Sequence, residues 1–215
     1  MTTSLTTSTP IVYVVDDDAS VRESLSSLIR SAGMLVQVFA SPFDFLAQDK
    51  LSDFSCLILD VRMPGLDGLA LQEKIAALGG EIPIIFITGH GDVPLAVRAM
   101  KAGAIDFLNK PFDDTDLLKA IAVALSRVSA TINERTEMAN LRLRFNTLTP
   151  REKQIMFAAA QGKQNKVIAY DLSVTESTVK VHKHNVMSKM NLKSIAELTL
   201  AIQRLNHVIK QGPFG

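Results

Sequence analysis

Short apolar runs that stop at a polar residue recur along the first part of the chain. Ile11-Val12-Tyr13-Val14-Val15 runs into Asp16-Asp17-Asp18, and Cys56-Leu57-Ile58-Leu59 runs into Asp60. Ile84-Ile85-Phe86-Ile87 ends at Thr88, and Ala104-Ile105-Asp106-Phe107-Leu108 passes Asn109 to reach Lys110-Pro111. Such runs predict buried parallel strands, with Leu35-Val36-Gln37-Val38-Phe39 as a further strand. Between them lie stripes at helical spacing: Val21, Leu25, Leu28 and Ile29, ended by Gly33; then Leu69, Leu71, Ile75 and Leu78 after the break at Pro64-Gly65. Ser41-Pro42 opens a short helix carrying Phe43, Phe45 and Leu46. Val93 to Met100 is helical and ends at Gly103, and Leu117, Leu118, Ile121 and Leu125 form a last helical face. Five βα repeats predict a doubly wound five-stranded parallel sheet, an α/β fold.

From residue 148 the pattern changes. No strand pattern remains, and four helical stripes follow: Ile155/Met156/Ala159, Val167/Ile168/Leu172, Val179/Val186/Met187/Met190 and Ile195/Leu198/Ile202. Leu148-Thr149-Pro150-Arg151-Glu152 offers an N-cap Thr, Pro in the first turn and Glu three residues on. Thr175-Glu176-Ser177 is a polar entry to the third helix. No Gly or Pro lies between Pro111 and Pro150, so the preceding helix is expected to run on as a connector. The expected organisation is a disordered tail 1–9, an α/β domain 10–128, a helical linker 129–147, an all-α four-helix domain 148–206 and a C-terminal tail 207–215.

Charge divides the same way. Residues 1–130 carry 10 Lys/Arg against 16 Asp/Glu, and residues 131–215 carry 13 against 6. The acidic part suits a cation and the basic part a polyanion. Cys56 is the lone cysteine and forms no internal disulfide, which suits a reducing cytoplasm. The Thr/Ser-rich start has neither a basic nor an apolar stretch, unlike a secretion signal. No run approaches the ~20 apolar residues of a membrane span.

Ligands in open parallel sheets bind beyond the carboxyl ends of the strands. The strand-end carboxylates, the Thr88 hydroxyl and the Lys110 amine should therefore converge. Clustered carboxylates repel one another unless a positive charge sits among them. Mg²⁺ with oxygen ligands is the natural occupant, drawn from Asp16, Asp17 and Asp60. One carboxylate could then attack phosphorus, with Lys110 balancing charge and Thr88 bonding a phosphoryl oxygen. Asp18 reads better as a helix cap.

Residues 10–128 resemble a response-regulator receiver domain, of flavodoxin-like fold, through Asp16-Asp17, Asp60 within LDVRMPGLDG, Thr88 within TGHGD, and Lys110 within KPF. The loop from Gly89 to Val97 resembles the FixJ branch specifically. The resemblance implies that Asp60 is the phosphoacceptor. It also implies that Asp16 or Asp17, Asp60 and the backbone carbonyl of Arg62 bind Mg²⁺. Thr88 and Phe107 would be coupled switch residues, and Lys110-Pro111 a cis peptide. Residues 148–206 resemble the LuxR-type helix-turn-helix domain through LTPRE (148–152), Asn165-Lys166, Ile168-Ala169 and Glu176 to His182, followed by Asn185 and Lys189-Met190. Lys163, Lys166, Lys180, Lys183, Lys189 and Lys193 supply charge for phosphates.

By this resemblance Lys180, Val181 and His184 face base edges, while Lys166, Ser177, Thr178 and Lys183 touch phosphates of double-stranded DNA. Ser173 stands in a turn where this family often has Gly, and Ser tolerates positive φ poorly. The implied protein is a transcription regulator of the FixJ/NarL type and not an enzyme beyond its own phosphorylation and slow dephosphorylation. Its implied partners are a sensor histidine kinase, DNA, RNA polymerase and a second copy when phosphorylated, with activation favoured by analogy. Two other readings compete. A haloacid-dehalogenase-type phosphatase would need a second Asp two positions after Asp60, where Arg62 stands. A ligand-gated LuxR-type regulator would need an apolar pocket in residues 1–130.

Overall fold

The computed structural model describes residues 9–89 and 93–211, without the side chains of 206–211. Most of the expected N-terminal tail, the loop residues His90-Gly91-Asp92 and residues 212–215 lie outside the described residues. The chain divides into two compact units, Met1–Ile132 and Asn133–Gly215.

In the first unit β1 (Ile11–Val15), β2 (Leu35–Phe39), β3 (Ser55–Asp60), β4 (Ile84–Thr88) and β5 (Asp106–Asn109) form one parallel sheet in the order β2-β1-β3-β4-β5. The helices between them are α1 (Ala19–Ser31), α2 (Pro42–Leu46), α3 (Gly68–Ala77) and α4 (Val93–Lys101). β1, β3 and β4 are buried almost throughout, because both faces of the sheet carry cores. Tyr13, Leu57, Leu59, Phe86 and Leu71 belong to one core. Val12, Val14, Ile58, Ile85, Ile29 and Ile121 belong to the other. β2 is an edge strand, so Leu35 and Val38 are exposed.

Two boundaries depart from the apolar pattern. Leu78 caps the end of α3 and is 74% exposed rather than packed. β5 starts at Asp106 and not at Ala104: the Ala104 N–H donates to the Ala99 carbonyl and closes α4, while the Ile105 N–H donates to the Ile84 carbonyl. With Gly103 at φ 93, this is the glycine-ended helix terminus expected there. Ala99 is the only buried residue in α4, so side-chain burial holds this helix weakly. Its end is also bound by Gln72 of α3, whose amide donates to the Ala102 carbonyl at 3.1 Å.

α5 spans Asp114–Asn146 as one helix of 33 residues. Its last turns bring Leu141 and Phe145 into the core of the second unit. There α6 (Pro150–Ala160), α7 (Asn165–Asp171), α8 (Glu176–Met190) and α9 (Ile195–Gln211) follow. The predicted stripes pack as Ile155, Met156, Ile168, Val179, Val186, Met190, Leu198 and Ile202. Val167 and Ile195 instead stay 39% and 36% exposed. α9 continues past residue 206, where the helical domain was expected to end. Among the described residues, no helix is long and apolar enough to cross a membrane.

Candidate functional site

Asp16 follows β1, Asp60 ends β3, Thr88 ends β4 and Lys110 follows β5, so all four stand at one edge of the sheet. Register brings them level. Asp60 pairs with Ile87, Thr88 pairs with Asn109, and the Lys110 N–H donates to the Thr88 carbonyl at 2.7 Å. Gly68 lets α3 begin against this edge. A Cβ there would lie 2.4 Å from the Asp60 carbonyl oxygen, a distance that no side chain could occupy.

The Lys110 ammonium joins two buried carboxylates, donating to Asp16 Oδ2 at 2.7 Å and to Asp60 Oδ1 at 2.8 Å. The other carboxylate oxygens accept backbone N–H groups: Asp16 Oδ1 from Asp18 at 2.8 Å, Asp60 Oδ2 from Arg62 at 2.7 Å. Burial pushes the Asp60 carboxyl up from its ordinary value, and the neighbouring Asp16 charge adds to this against the pull of Lys110. Burial alone would lower the Lys110 ammonium, but its bonds to Asp16 and Asp60 prevail and raise it. Two carboxylates around one ammonium leave the cluster anionic.

Asp17 is exposed beside this pair. Asp18 caps α1, accepting from Ser20 and Val21 N–H groups that hold its carboxyl low. Among the described residues, no three His, Cys, Asp or Glu side chains converge as a metal cage. Mg²⁺ is commonly held by only one or two carboxylates, completed by waters and phosphate oxygens, so the buried Asp16–Asp60 pair fits it. Phe107 is half-buried, its ring 6.2 Å from that of Phe86. Lys110-Pro111 is cis.

Arg22 of α1 was not anticipated at this edge. Its guanidinium donates to the Asp16 carbonyl at 2.7 Å. Its helical position six residues after Asp16 was the only available signal. Cys56 is buried, and burial pushes its thiol up to about 12, so it is chemically quiet.

The second unit presents α7 and α8. Lys166 on α7 is exposed. On α8, Ser177, Lys180, Val181 and His184 are exposed, while Thr178 and Lys183 are half-buried. Val181 is 59% exposed although apolar, whereas Val179, Val186 and Met190 of the same helix are buried. Spacing puts Ser177, Lys180, Val181 and His184 on one outward face. The Thr175 hydroxyl caps α8 by accepting the Thr178 N–H and lies 2.8 Å from both the Ser177 and Thr178 hydroxyls. Ser173 adopts φ 53, the strained conformation its place in the turn demands.

Not all the lysines are available to an anion. Lys163 pairs with Asp171 at 2.7 Å, and Lys189 pairs with Glu152 at 2.7 Å. Glu152 is only 3% exposed and completes the predicted capping box: its carboxylate accepts the Thr149 N–H at 2.8 Å while the Thr149 hydroxyl accepts the Glu152 N–H. The Lys189 bond and then the Thr149 N–H hold the Glu152 carboxyl below its ordinary value.

Residues 12–122 match the family described as response regulator receiver domain, and residues 146–202 match bacterial regulatory proteins of the luxR family. The chain is 46% identical over 200 residues to the response regulator protein TmoT of Ectopseudomonas mendocina, covering 93% of this chain and 91% of TmoT. It is 42% identical over 193 residues to the transcriptional regulatory protein FixJ of Bradyrhizobium diazoefficiens, covering 90% and 94% of the two chains. The solved structure of the response regulator StyR aligns at a TM-score of 0.79 with 46% identity, covering 92% of this chain and all of that one.

Proposed function

The chain belongs to the two-component response regulators that join a receiver to a LuxR-type DNA-binding domain, and on that premise we propose that Asp60 is its phosphoacceptor. As a member of that family it regulates transcription, and the family implies a sensor kinase and DNA as partners. The observation that carries the proposal is the Lys110 ammonium held between Asp16 and Asp60 at 2.7 and 2.8 Å. An Asp60 oxygen attacks the phosphorus of a phosphohistidine on the kinase. The P–N bond breaks, and the imidazole nitrogen takes a proton. Lys110 counters the charge that arrives, and the Thr88 hydroxyl bonds a phosphoryl oxygen.

Receiver domains generally bind Mg²⁺ at this position. Here Asp16, Asp17, Asp60 and the Arg62 carbonyl would hold it, and when bound it would offset charge between carboxylate and phosphoryl oxygens. The drawing-in of Thr88 pulls Phe107 inward and changes the face made by α4, β5 and the first half of α5. That face then pairs with a second copy. The homodimer places two α8 helices in paired half-sites, with Lys180, Val181 and His184 at base edges and Lys166, Ser177, Thr178 and Lys183 at phosphates. RNA polymerase is then recruited and transcription activated. Moving the population from 1:99 to 99:1 requires ~5.5 kcal/mol of preference for the active state. In this reading 10–128 is the receiver, 129–147 the linker and 148–206 the DNA-binding domain.

The test is a DNA titration at fixed salt with a duplex selected from random sequence. It compares the protein alone, with Mg²⁺ and beryllofluoride, and as Asp60→Asn with the same additions. Tighter, dimeric binding for the activated wild type alone is expected. Equal binding in all three would refute control by Asp60.

A further inference from the structure

Two adjacent residues of α6 each hold the far end of one helix of the helix-turn-helix. The Arg151 guanidinium donates to the carbonyl of Leu172, which caps the C-terminus of α7. The Glu152 carboxylate accepts from Lys189 in the last turn of α8 at 2.7 Å. A left-handed residue follows within two positions of each anchor point, Ser173 at φ 53 after α7 and Asn191 at φ 55 after α8.

Carbonyls at helix C-termini lack intrahelical partners, and a cation there satisfies one and favours the helix dipole. Arg151 does this for α7. Glu152 works from the opposite direction. The capping box fixes its carboxylate, so its place in α6 is transmitted to Lys189 and hence to α8. The first turn of α6 is therefore a common base for two helices whose angle decides what the outward face of α8 can reach.

We propose that Arg151 and Glu152 are positioning residues for DNA recognition: they set α8 against α7 and thereby sequence preference, while touching no DNA. The proposal rests on the DNA-binding reading of α8. It also removes Lys189 from the phosphate contacts, since its charge is already matched by Glu152.

The test uses the full chain and two duplexes, the selected site and a scrambled one, titrated at several salt concentrations alongside thermal unfolding. The central variant is the double substitution E152Q/K189M, which keeps net charge constant and keeps an acceptor for the Thr149 N–H. R151M tests the other arm. Each should lower the ratio of selected-site to scrambled affinity by about tenfold, comparable to one mismatched base pair. Affinity for the scrambled duplex and the salt slope should not change. E152Q alone, which can still accept from Lys189, should keep most of the ratio.

A folded double variant with an unchanged ratio and only a lower melting temperature would overturn the proposal, leaving a plain structural staple. So would a loss on both duplexes with a salt slope smaller by about one, which would make Lys189 a phosphate contact. A wild type that prefers no duplex over the scrambled one would instead sink the DNA-binding reading itself.

Discussion

Lys110 in the first unit lies 2.8 Å from the buried Asp60 carboxylate and Lys189 in the second lies 2.7 Å from the buried Glu152 carboxylate, yet the two carboxylates respond in opposite directions. Asp60 is raised and Glu152 is lowered. Burial prevails over Lys110 at Asp60 but not over Lys189 at Glu152, and stoichiometry adds to that difference. Lys110 is shared by Asp16 and Asp60, so one ammonium faces two carboxylates. Lys189 serves Glu152 alone, and the Thr149 N–H completes the carboxylate. The first cluster has more carboxylate than ammonium, an imbalance that an added cation would offset. The second is closed and gains nothing by binding. Similar side chains at similar distances thus make a switch in one place and a strut in the other.

Breaking either ion pair should destabilise the unit that holds it. Lys189→Met strands a buried carboxylate. Removing one partner of a buried pair costs roughly 3–5 kcal/mol, and the partial exposure of Lys189 puts this case near the lower end, about 3 kcal/mol. Hydrogen exchange read separately for the two units should show the loss confined to the second. Lys110→Met strands two buried carboxylates and should cost a comparable amount, roughly 3 kcal/mol, in the first unit. The same variant should lose its dimerisation response to beryllofluoride entirely, although Lys189→Met should keep it.

A smaller and reversible version of the contrast is expected from pH. Glu152 is lowered in the folded chain, so its contribution is fully present above 4.5 and is lost as pH falls through its depressed folded value. Asp60 is raised, so its contribution is present below 3.8 and is lost as pH rises through its folded value. Exchange in the second unit should therefore quicken on acidification, and Glu152→Gln should flatten that response. Asp60→Asn should slow exchange in the first unit at neutral pH, where the wild type holds its excess charge. Parallel pH responses in the two units would contradict the opposite shifts of Asp60 and Glu152.

The first cluster was legible in the sequence because its members end strands. A parallel sheet brings strand ends to one edge whatever the loops do, so Asp16, Asp60, Thr88 and Lys110 could be placed from the apolar runs alone. The second was half legible. Thr149 and Glu152 announce a capping box through local spacing, but Lys189 lies 37 residues from Glu152, and nothing in a helical stripe encodes that contact. Lys189 and Lys163 looked like free charge for phosphates for this reason. Arg151 to Leu172 and Gln72 to α4 were hidden likewise, because side chain to backbone bonds across elements leave no periodic trace. The early end of the α4 pattern had a local cause that could be read, Gly103, but the two apolar residues after it imitated a strand start.

Ser173 gives the smallest effect and bears on which side of the comparison the helix-turn-helix belongs to. Its φ of 53 is costly for a residue with a Cβ, roughly 1–2 kcal/mol. Glycine would relieve that strain but loses more chain entropy on folding, about 0.5–1 kcal/mol. The net expectation for Ser173→Gly is a gain of about 0.5 kcal/mol, the difference of these opposing terms. Asn191→Gly should gain less, since Asn adopts left-handed backbone more readily. If Arg151 holds the turn in place against strain, R151M should cost less in the Ser173→Gly background than in the wild type, a coupling that denaturant unfolding of the four variants would measure. Strict additivity would mean that the turn adopts its form independently of Arg151. The first turn of α6 would then brace α8 through Glu152 only.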